Sequence, residues 1–262
     1  MKTVMIIPAK GFSRRIPEKN IHPFCGKPLV YWPILQGMTS KLVDEVVVST
    51  DSKKIAKIAT DLGAEVFMRG YKDTDDTSAG VALAEVMDAF VEQGRLKPDD
   101  IIVGHFTPCC ICKPDDVDRL VGTLIYLNRE KGGRRCEYIN MYSEERTIFV
   151  GVRIGPNQYR PLVHCINHPA SNNYEGAILR DWDSTPGTIL LNKALLNARY
   201  VKHYYNSPPN MPQFYMAIED WQVHDMDTPD EMEFGEVVME HYILKGRGPA
   251  VYYEYAGIKE PK

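Results

Sequence analysis

The run Thr3-Val4-Met5-Ile6-Ile7 is apolar on both sides of an extended chain and rich in β-branched residues. A strand with two apolar faces has to be covered twice, which is the condition of a parallel sheet with helices above and below it. Glu45 to Thr50 (EVVVST) reads the same way. Between it and a third strand, Glu65 to Met68, lies Ser52 to Leu62, apolar at Ile55, Ile58 and Leu62, which is helical spacing. Strand, helix, strand is the βαβ rhythm of a parallel sheet. In open sheets of this kind ligands bind beyond the carboxyl ends of the strands, so the loops there are where chemistry is expected.

The pattern continues along the chain. Pro28 to Met38 reads as a helix with Pro28 tolerated at its start. Ser78 to Gln93 has Val81, Leu83, Val86, Met87, Phe90 and Val91 at helical spacing; Asp100 to Phe106 reads as a strand and Asp115 to Asn128 as a helix. After Gly132-Gly133 the texture changes. Glu137 to Tyr142, Thr147 to Ile154 and Tyr159 to Val163 read as strands, with no helix expected before about Lys193. Residues 137–182 are read as a β-rich insertion inside a single domain spanning 1–262, its edges suited to dimer contacts or to closing over a substrate. Thr188 to Leu191 and Gln213 to Ile218 return as core strands. The last helix has a defined start: Thr228 as N-cap, Pro229 in the first turn and Glu231 completing a capping box. Its apolar face is expected at Phe234, Val237, Val238 and Tyr242.

At 262 residues the chain lies between one and two domains of ordinary size. Its 31 basic and 35 acidic residues leave a net charge of −4. A general nucleic-acid binder needs a basic surface that displaces counterions, so nucleic acid is not an expected partner. No run reaches the roughly 18 apolar residues of a membrane span. The opening MKTVMIIPAKGFSRR is too short in apolar length and too quickly basic for a signal peptide, so a cytoplasmic location is expected. Six cysteines are too few and too unevenly spread for a disulfide scaffold. Cys109, Cys110 and Cys112 crowd together near His105, but their spacing is that of neither a zinc finger nor a ribbon, and buried or half-buried thiols are expected.

Two segments carry chemistry. The first is the loop after strand one, Lys10 to Asn20 (KGFSRRIPEKN). A glycine there lets backbone N–H groups approach phosphate oxygens, and Lys10, Arg14, Arg15 and Lys19 supply charge that a triphosphate needs. It is not the P-loop, which requires Gly-Lys-Ser/Thr leading straight into a helix. A solvated basic loop answers the same composition. The second is His224-Asp225-Met226-Asp227-Thr228-Pro229. Carboxylates two residues apart in extended chain point the same way and can share one hard cation. Capping of the following helix by Asp227 is the plainer alternative.

Together, and in this order, the two segments resemble the acylneuraminate cytidylyltransferases, the CMP-sialic acid synthetases and their relatives. That family opens with a strand, then Arg-Gly-Gly-Ser-Lys-Arg-Ile-Pro-x-Lys-Asn, then Gly-Lys-Pro-Leu. Here the matching residues are Lys10 to Asn20 and Gly26-Lys27-Pro28-Leu29. EVVVSTD at Glu45 to Asp51, Arg69 with Asp76-Thr77-Ser78, and Asp225-x-Asp227-Thr228-Pro229 continue the likeness, which covers about 1–90 and 220–240. The resemblance implies a nucleotide-diphosphosugar-transferase-like α/β fold, a mainly parallel sheet flanked by helices. It implies transfer of CMP from CTP to an acidic sugar of the sialic-acid (nonulosonic acid) type, with release of pyrophosphate, by a homodimer. By the same likeness Lys10, Gly11, Ser13, Arg14 and Lys19 hold the triphosphate, and Arg69, Thr77 and Ser78 seat the nucleotide. Asp225 and Asp227 hold Mg²⁺, and Lys19 neutralises the departing pyrophosphate.

The chain departs from that family on the acceptor side. Where the family has Gln-Pro-Thr-Ser-Pro-Leu-Arg after its fourth strand, this chain has His105-Phe106-Thr107-Pro108-Cys109-Cys110-Ile111-Cys112, retaining neither the Gln nor the Arg. Lys10 replaces an Arg and so removes a planar fork of donors. Three alternatives follow: a nucleotidyltransferase with another acceptor (a Kdo-like sugar or a phosphonate), a glycosyltransferase of related fold, and a non-catalytic relative.

Overall fold

Alternation within the first strand sets the layers. In the computed structural model, which describes residues 1–70, 79–129, 138–144, 150–155, 158–162, 191–201, 213–222, 224 and 226–261, β1 (Thr3–Pro8) is buried throughout. Met5 and Ile7 pack on one side with Ile34, Val117, Leu120 and Leu124, while Val4 and Ile6 pack on the other with Leu83, Val86, Met87 and Phe90. Helices α1 (Tyr31–Thr39), α2 (Lys53–Asp61) and α4 (Asp116–Arg129) therefore cover one face, and α3 (Ala79–Glu92) covers the opposite one. Burial on both faces is what the two-sided apolar runs require.

β1 pairs in parallel with β4 (Glu45–Thr50) and with β6 (Ile101–His105), and β4 with β5 (Glu65–Met68). A short antiparallel pair, β2 (Pro23–Phe24) and β3 (Lys27–Pro28), closes the loop ahead of α1. Beyond β6 the sheet continues through β10 (Leu191–Tyr200), β7 (Tyr138–Glu144) and β11 (Gln213–Ala217), in the order β11-β7-β10-β6-β1-β4-β5. β10 runs antiparallel to both of its neighbours, and β7 and β11 are parallel. The sheet is mainly parallel and flanked by helices, as the sequence implies.

Three expectations need correction. The segment from about Lys193 is strand, not helix. Its Leu, Ala and Asn content suits either state, but it lies between β6 and β7 and bonds to both, so pairing overrides local preference. The stretch expected as insertion divides: β7 is part of the main sheet, while β8 (Val150–Gly155) and β9 (Gln158–Leu162) pair with each other as a hairpin. Residues 163–190, including all but Leu191 of the strand expected over Thr188 to Leu191, lie outside the described residues.

The third correction concerns the last long helix, α5 (Pro229–Met239). Its start is as expected, since Thr228 and Glu231 form a reciprocal capping box. Its buried face is as expected only at Val238: Met232, Gly235 and Met239 face inward with it, while Phe234, Val237 and Tyr242 are 55, 62 and 47% exposed. Gly235 selects that face. A Cβ there would stand 2.7 Å from Met226 Sδ and 3.3 Å from Phe24 Cε2, so only glycine lets the helix close on the segment before it. A π-helical turn, Glu240–Leu244, then adds a residue to the helix and turns Ile243 and Leu244 inward. A short final helix, α6 (Ala250–Ala256), buries Val251, Tyr252 and Tyr253. Among the described residues no helix is long and apolar enough to cross a membrane.

Candidate active site

The basic loop leaves β1 at the carboxyl edge of the sheet. Ala9 still bonds to the neighbouring strand, donating its N–H to Ser49 O at 2.9 Å. Gly11 then crosses the turn after β4 at close range: its N–H donates to Asp51 Oδ1 at 2.7 Å, and a Cβ would lie 2.9 Å from Ser52 Cβ. The glycine is therefore explained by close approach between two loops. Buried Asn20 ties the loop to itself, donating from Nδ2 to Lys10 O at 2.7 Å and accepting Val30 N–H at its carbonyl at 2.8 Å. Within this frame Lys10, Ser13 and Lys19 are half-buried, while Arg14 and Arg15 are exposed.

The acidic segment is fixed from two sides. Met226 is fully buried and donates its N–H to Pro108 O at 3.2 Å. The N–H groups of Asp227 and Thr228 both donate to Glu231 Oε2, at 2.9 and 2.8 Å. So anchored, the Asp227 side chain meets the basic loop more than two hundred residues away in sequence. Lys19 Nζ donates to its Oδ1 at 2.6 Å, and Arg15 Nη1 donates to its Oδ2. Burial alone would raise the Asp227 pKa, but Lys19 and then Arg15 outweigh it, and the carboxyl sits below its usual range. Thr228 is the helix cap, so Asp227 is not needed for that purpose.

A buried polar network holds the neighbouring segment, 105–112. Gln36, on α1, donates from Nε2 to Cys110 O at 2.7 Å and to Tyr252 Oη at 3.2 Å. Its Oε1 lies 2.6 Å from His105 Nε2, so that nitrogen carries the imidazole proton. Tyr252 in turn donates to Cys112 O at 2.6 Å, and Gln222 donates to Ile111 O at 3.3 Å. His105 and Thr107 are 0 and 1% exposed, and burial pushes the imidazole pKa down to about 3 against the weaker pull of the Phe106 backbone. His105 Nδ1 and Thr107 Oγ1 have no hydrogen-bond partner among the described residues. No disulfide joins Cys109, Cys110 and Cys112, and burial holds the thiols of the last two well above their ordinary pKa. Nothing in the sequence marks Gln36 or Tyr252 for this role, since both look like ordinary helix residues.

The expected site residues thus fall into three groups. Lys10, Gly11, Ser13, Arg14 and Lys19 share one loop, and Lys19 reaches Asp227. Arg69 is buried and donates to Ser49 O at 2.7 Å and Ser49 Oγ at 2.8 Å, bracing the ends of β4 and β5. Thr77, Ser78 and Asp225 lie outside the described residues. Arg15, expected only as one of the loop's charges for a triphosphate, is the unexpected partner of Asp227; its place in the basic run was the available signal. Among the described residues no cluster of three or more His, Cys, Asp or Glu side chains is arranged to hold a metal. One described carboxylate, Asp227, beside the basic loop nevertheless fits Mg²⁺, which is commonly held by one or two carboxylates together with substrate phosphates.

The fold and this edge define an α/β protein whose mainly parallel sheet carries a basic loop and an opposing carboxylate at its carboxyl edge. Residues 4–99 match the family model described as "Cytidylyltransferase". The chain is 42% identical over 86 residues to the pseudaminic acid cytidylyltransferase of Campylobacter jejuni, covering 32% of this chain and 37% of that protein. It is 42% identical over 79 residues to the CMP-N,N'-diacetyllegionaminic acid synthase of Legionella pneumophila, covering 30% of this chain and 34% of that one. The chain therefore spans about a third of the length of these curated relatives, and the Asp225 to Pro229 element lies beyond the family match. By structure it is similar to a CMP:2-keto-3-deoxy-manno-octonic acid synthetase complexed with CTP. The TM-score is 0.60 at 17% identity, over 93% of this chain and 100% of that one, which establishes the shared fold.

Proposed function

We propose that this chain is a cytidylyltransferase that moves CMP from CTP to the anomeric hydroxyl of an acidic α-keto sugar. The observation that carries the reading is the meeting of Asp227 with Lys19 and Arg15 at the carboxyl edge of the sheet. In the reaction the acceptor oxygen bonds to the α-phosphorus, the bond from that phosphorus to the bridging oxygen breaks, pyrophosphate leaves, and the hydroxyl proton passes to solvent. Such transfer asks of the protein mostly positioning and charge neutralisation. Lys10, Gly11, Ser13, Arg14 and Lys19 hold the triphosphate, with Lys19 against the departing pyrophosphate; Arg69, Thr77 and Ser78 seat the nucleoside. Asp227 and Asp225 would hold Mg²⁺, which would supply charge neutralisation at the α-phosphate and ease ionisation of the acceptor hydroxyl.

The acceptor is a sugar acid of the nonulosonic type, with a Kdo-like octulosonic acid as the second reading. Relatives named for pseudaminic and legionaminic acid favour the first, and the Kdo-synthetase fold match favours the second. Segment 105–112 offers no cation to the acceptor carboxylate, because His105 is buried and neutral. The working form is a homodimer in the cytoplasm, and sedimentation at micromolar concentration tests the dimer. For the activity, the protein is mixed with CTP, Mg²⁺ and a panel of pseudaminic, legionaminic and N-acylneuraminic acids and Kdo, and pyrophosphate is followed. Release with at least one of these acids is expected. No release with any nucleoside triphosphate and acceptor overturns the reading, and hydrolysis of a UDP-sugar instead moves the chain to the glycosyltransferases.

A further inference from the structure

Asp227 places a carboxylate where the reading above places a triphosphate. Its oxygens take one cation each, Lys19 Nζ on Oδ1 at 2.6 Å and Arg15 Nη1 on Oδ2. The side chains of Lys19, Asp227 and Arg15 are 13, 31 and 39% exposed, so the group sits at the rim, within reach of a ligand from solvent. Two cations spread over two oxygens of one anion is also how this pair would grip the edge of a phosphate. The two arrangements exclude each other. Arg15 and Lys19 cannot turn fully to a phosphate without leaving Asp227, and Asp227 cannot offer an oxygen to a divalent cation without releasing one of them.

The three partners are not equally movable. Asp227 is pinned through its own N–H and that of Thr228 on Glu231, and through Met226 on Pro108. Lys19 and Arg15 stand on long side chains with many rotamers. When the pair opens, the cations move and the carboxylate stays. We infer that Arg15, Lys19 and Asp227 form a displaceable ion-pair lock, in which Asp227 stands in for a substrate phosphate until a nucleoside triphosphate and a divalent cation arrive. This inference rests on the nucleotide reading. Its consequence is positive coupling: a triphosphate that draws off the cations frees Asp227 for the metal, and a metal on Asp227 frees the cations for the triphosphate. Each ligand alone binds against the lock.

Two binding measurements test it without turnover. In the first, metal-free CTP with a chelator is titrated calorimetrically into the wild-type chain, Asp227→Asn, Arg15→Gln and the double variant. The lock predicts that Asp227→Asn tightens metal-free CTP by about fivefold, the factor expected of one partly exposed ion pair. It also predicts that this gain shrinks in the Arg15→Gln background, where one latch is already open. Simple repulsion between Asp227 and the triphosphate predicts a gain that is as large or larger without Arg15, and that result overturns the lock. In the second, Mn²⁺ binding to the nucleotide-free chain is read by electron paramagnetic resonance. Arg15→Gln should tighten it by about fivefold, and an unchanged affinity overturns the lock. If CTP binds no variant while Arg15→Gln still tightens Mn²⁺, it is the nucleotide reading that fails, and with it the lock's coupling to a triphosphate; the competition between Arg15 and a divalent cation for Asp227 is what remains.

Discussion

Lowering the pH from 7.5 to 5 should cost this fold about 2 kcal/mol through His105 alone, a figure that follows from its burial. The imidazole is 0% exposed and its pKa is pushed down to about 3, from 6.5 in the unfolded chain. Below 6.5 the unfolded chain therefore takes up a proton that the folded one refuses. The stability tied to this residue is whole above 6.5 and is lost as the pH falls, by about 1.4 kcal/mol per unit, until about 3. Among the described residues no carboxylate bonds to the ring: it meets the Gln36 amide, which bonds in turn to the Tyr252 hydroxyl and the Cys110 carbonyl, while the buried Asp116 carboxylate of the wider network is bonded to Gln222. His105→Gln removes the titrating group while an amide N–H can still reach Gln36 Oε1. Urea midpoints for both proteins at pH 7.5, 6 and 5 measure the two slopes. Carboxylates held low in the fold, such as Glu65 (pKa about 2, chiefly through its hydrogen bonds with Arg95), add acid sensitivity to both proteins and cancel in the difference. The wild-type chain should lose about 2 kcal/mol more than His105→Gln between pH 7.5 and 5. Parallel slopes would refute the buried, neutral imidazole.

Asp227→Ala should abolish divalent-dependent pyrophosphate release while moving the urea midpoint by no more than about 1 kcal/mol, because the pairs it loses are part-exposed and the helix cap is Thr228; near-normal turnover would remove Asp227 from the site. Gly11→Ala sets a Cβ 2.9 Å from Ser52 Cβ and 3.3 Å from Asp51 Oδ1, so calorimetry should show weakened CTP binding, with about 1–2 kcal/mol of stability lost to overpacking. Tyr252→Phe leaves Cys112 O without its donor and should destabilise by about 1–2 kcal/mol in urea, with nucleotide affinity unchanged.

The parallel half of the fold was legible because its strands are buried on both faces. TVMII and EVVVST admit few other environments, and β4 and β5 begin and end where the sequence places them. The capping box was legible for a related reason: Thr228, Pro229 and Glu231 act on each other within one turn, so no distant partner has to be known. Where a partner is distant the reading fails. β10 carries residues at home in a helix and becomes a strand only because β6 and β7 offer it bonds on both sides. The inward face of α5 is decided by Met226 and Phe24 against Gly235, and local periodicity points instead to Phe234 and Val237, which face solvent. Gln36 is the extreme case. A single amide on α1 holds Cys110 O, Tyr252 and His105, yet each of those contacts is set by tertiary packing.

The same distinction explains why one half of the candidate site could be read and the other could not. The loop of Lys10 to Lys19 and the segment before α5 are each held by short-range bonds, Asn20 to Lys10 in one case and Asp227 and Thr228 to Glu231 in the other. Their charges are opposite, so once the sheet brings both to one edge the attraction between Asp227 and the cations follows from charge alone. The acceptor side has no such charge to follow. Segment 105–112 is fastened by neutral hydrogen bonds from α1, α6 and Gln222, three places that no motif links. A change of family residue there, His105 for Gln, was visible, but its consequence was not: the side chain is bonded inward to Gln36 and fully buried. On the proposed function, acceptor choice therefore has to come from groups other than the His105 ring. Variants at exposed positions around this edge, rather than at His105, are where a change of sugar should be sought.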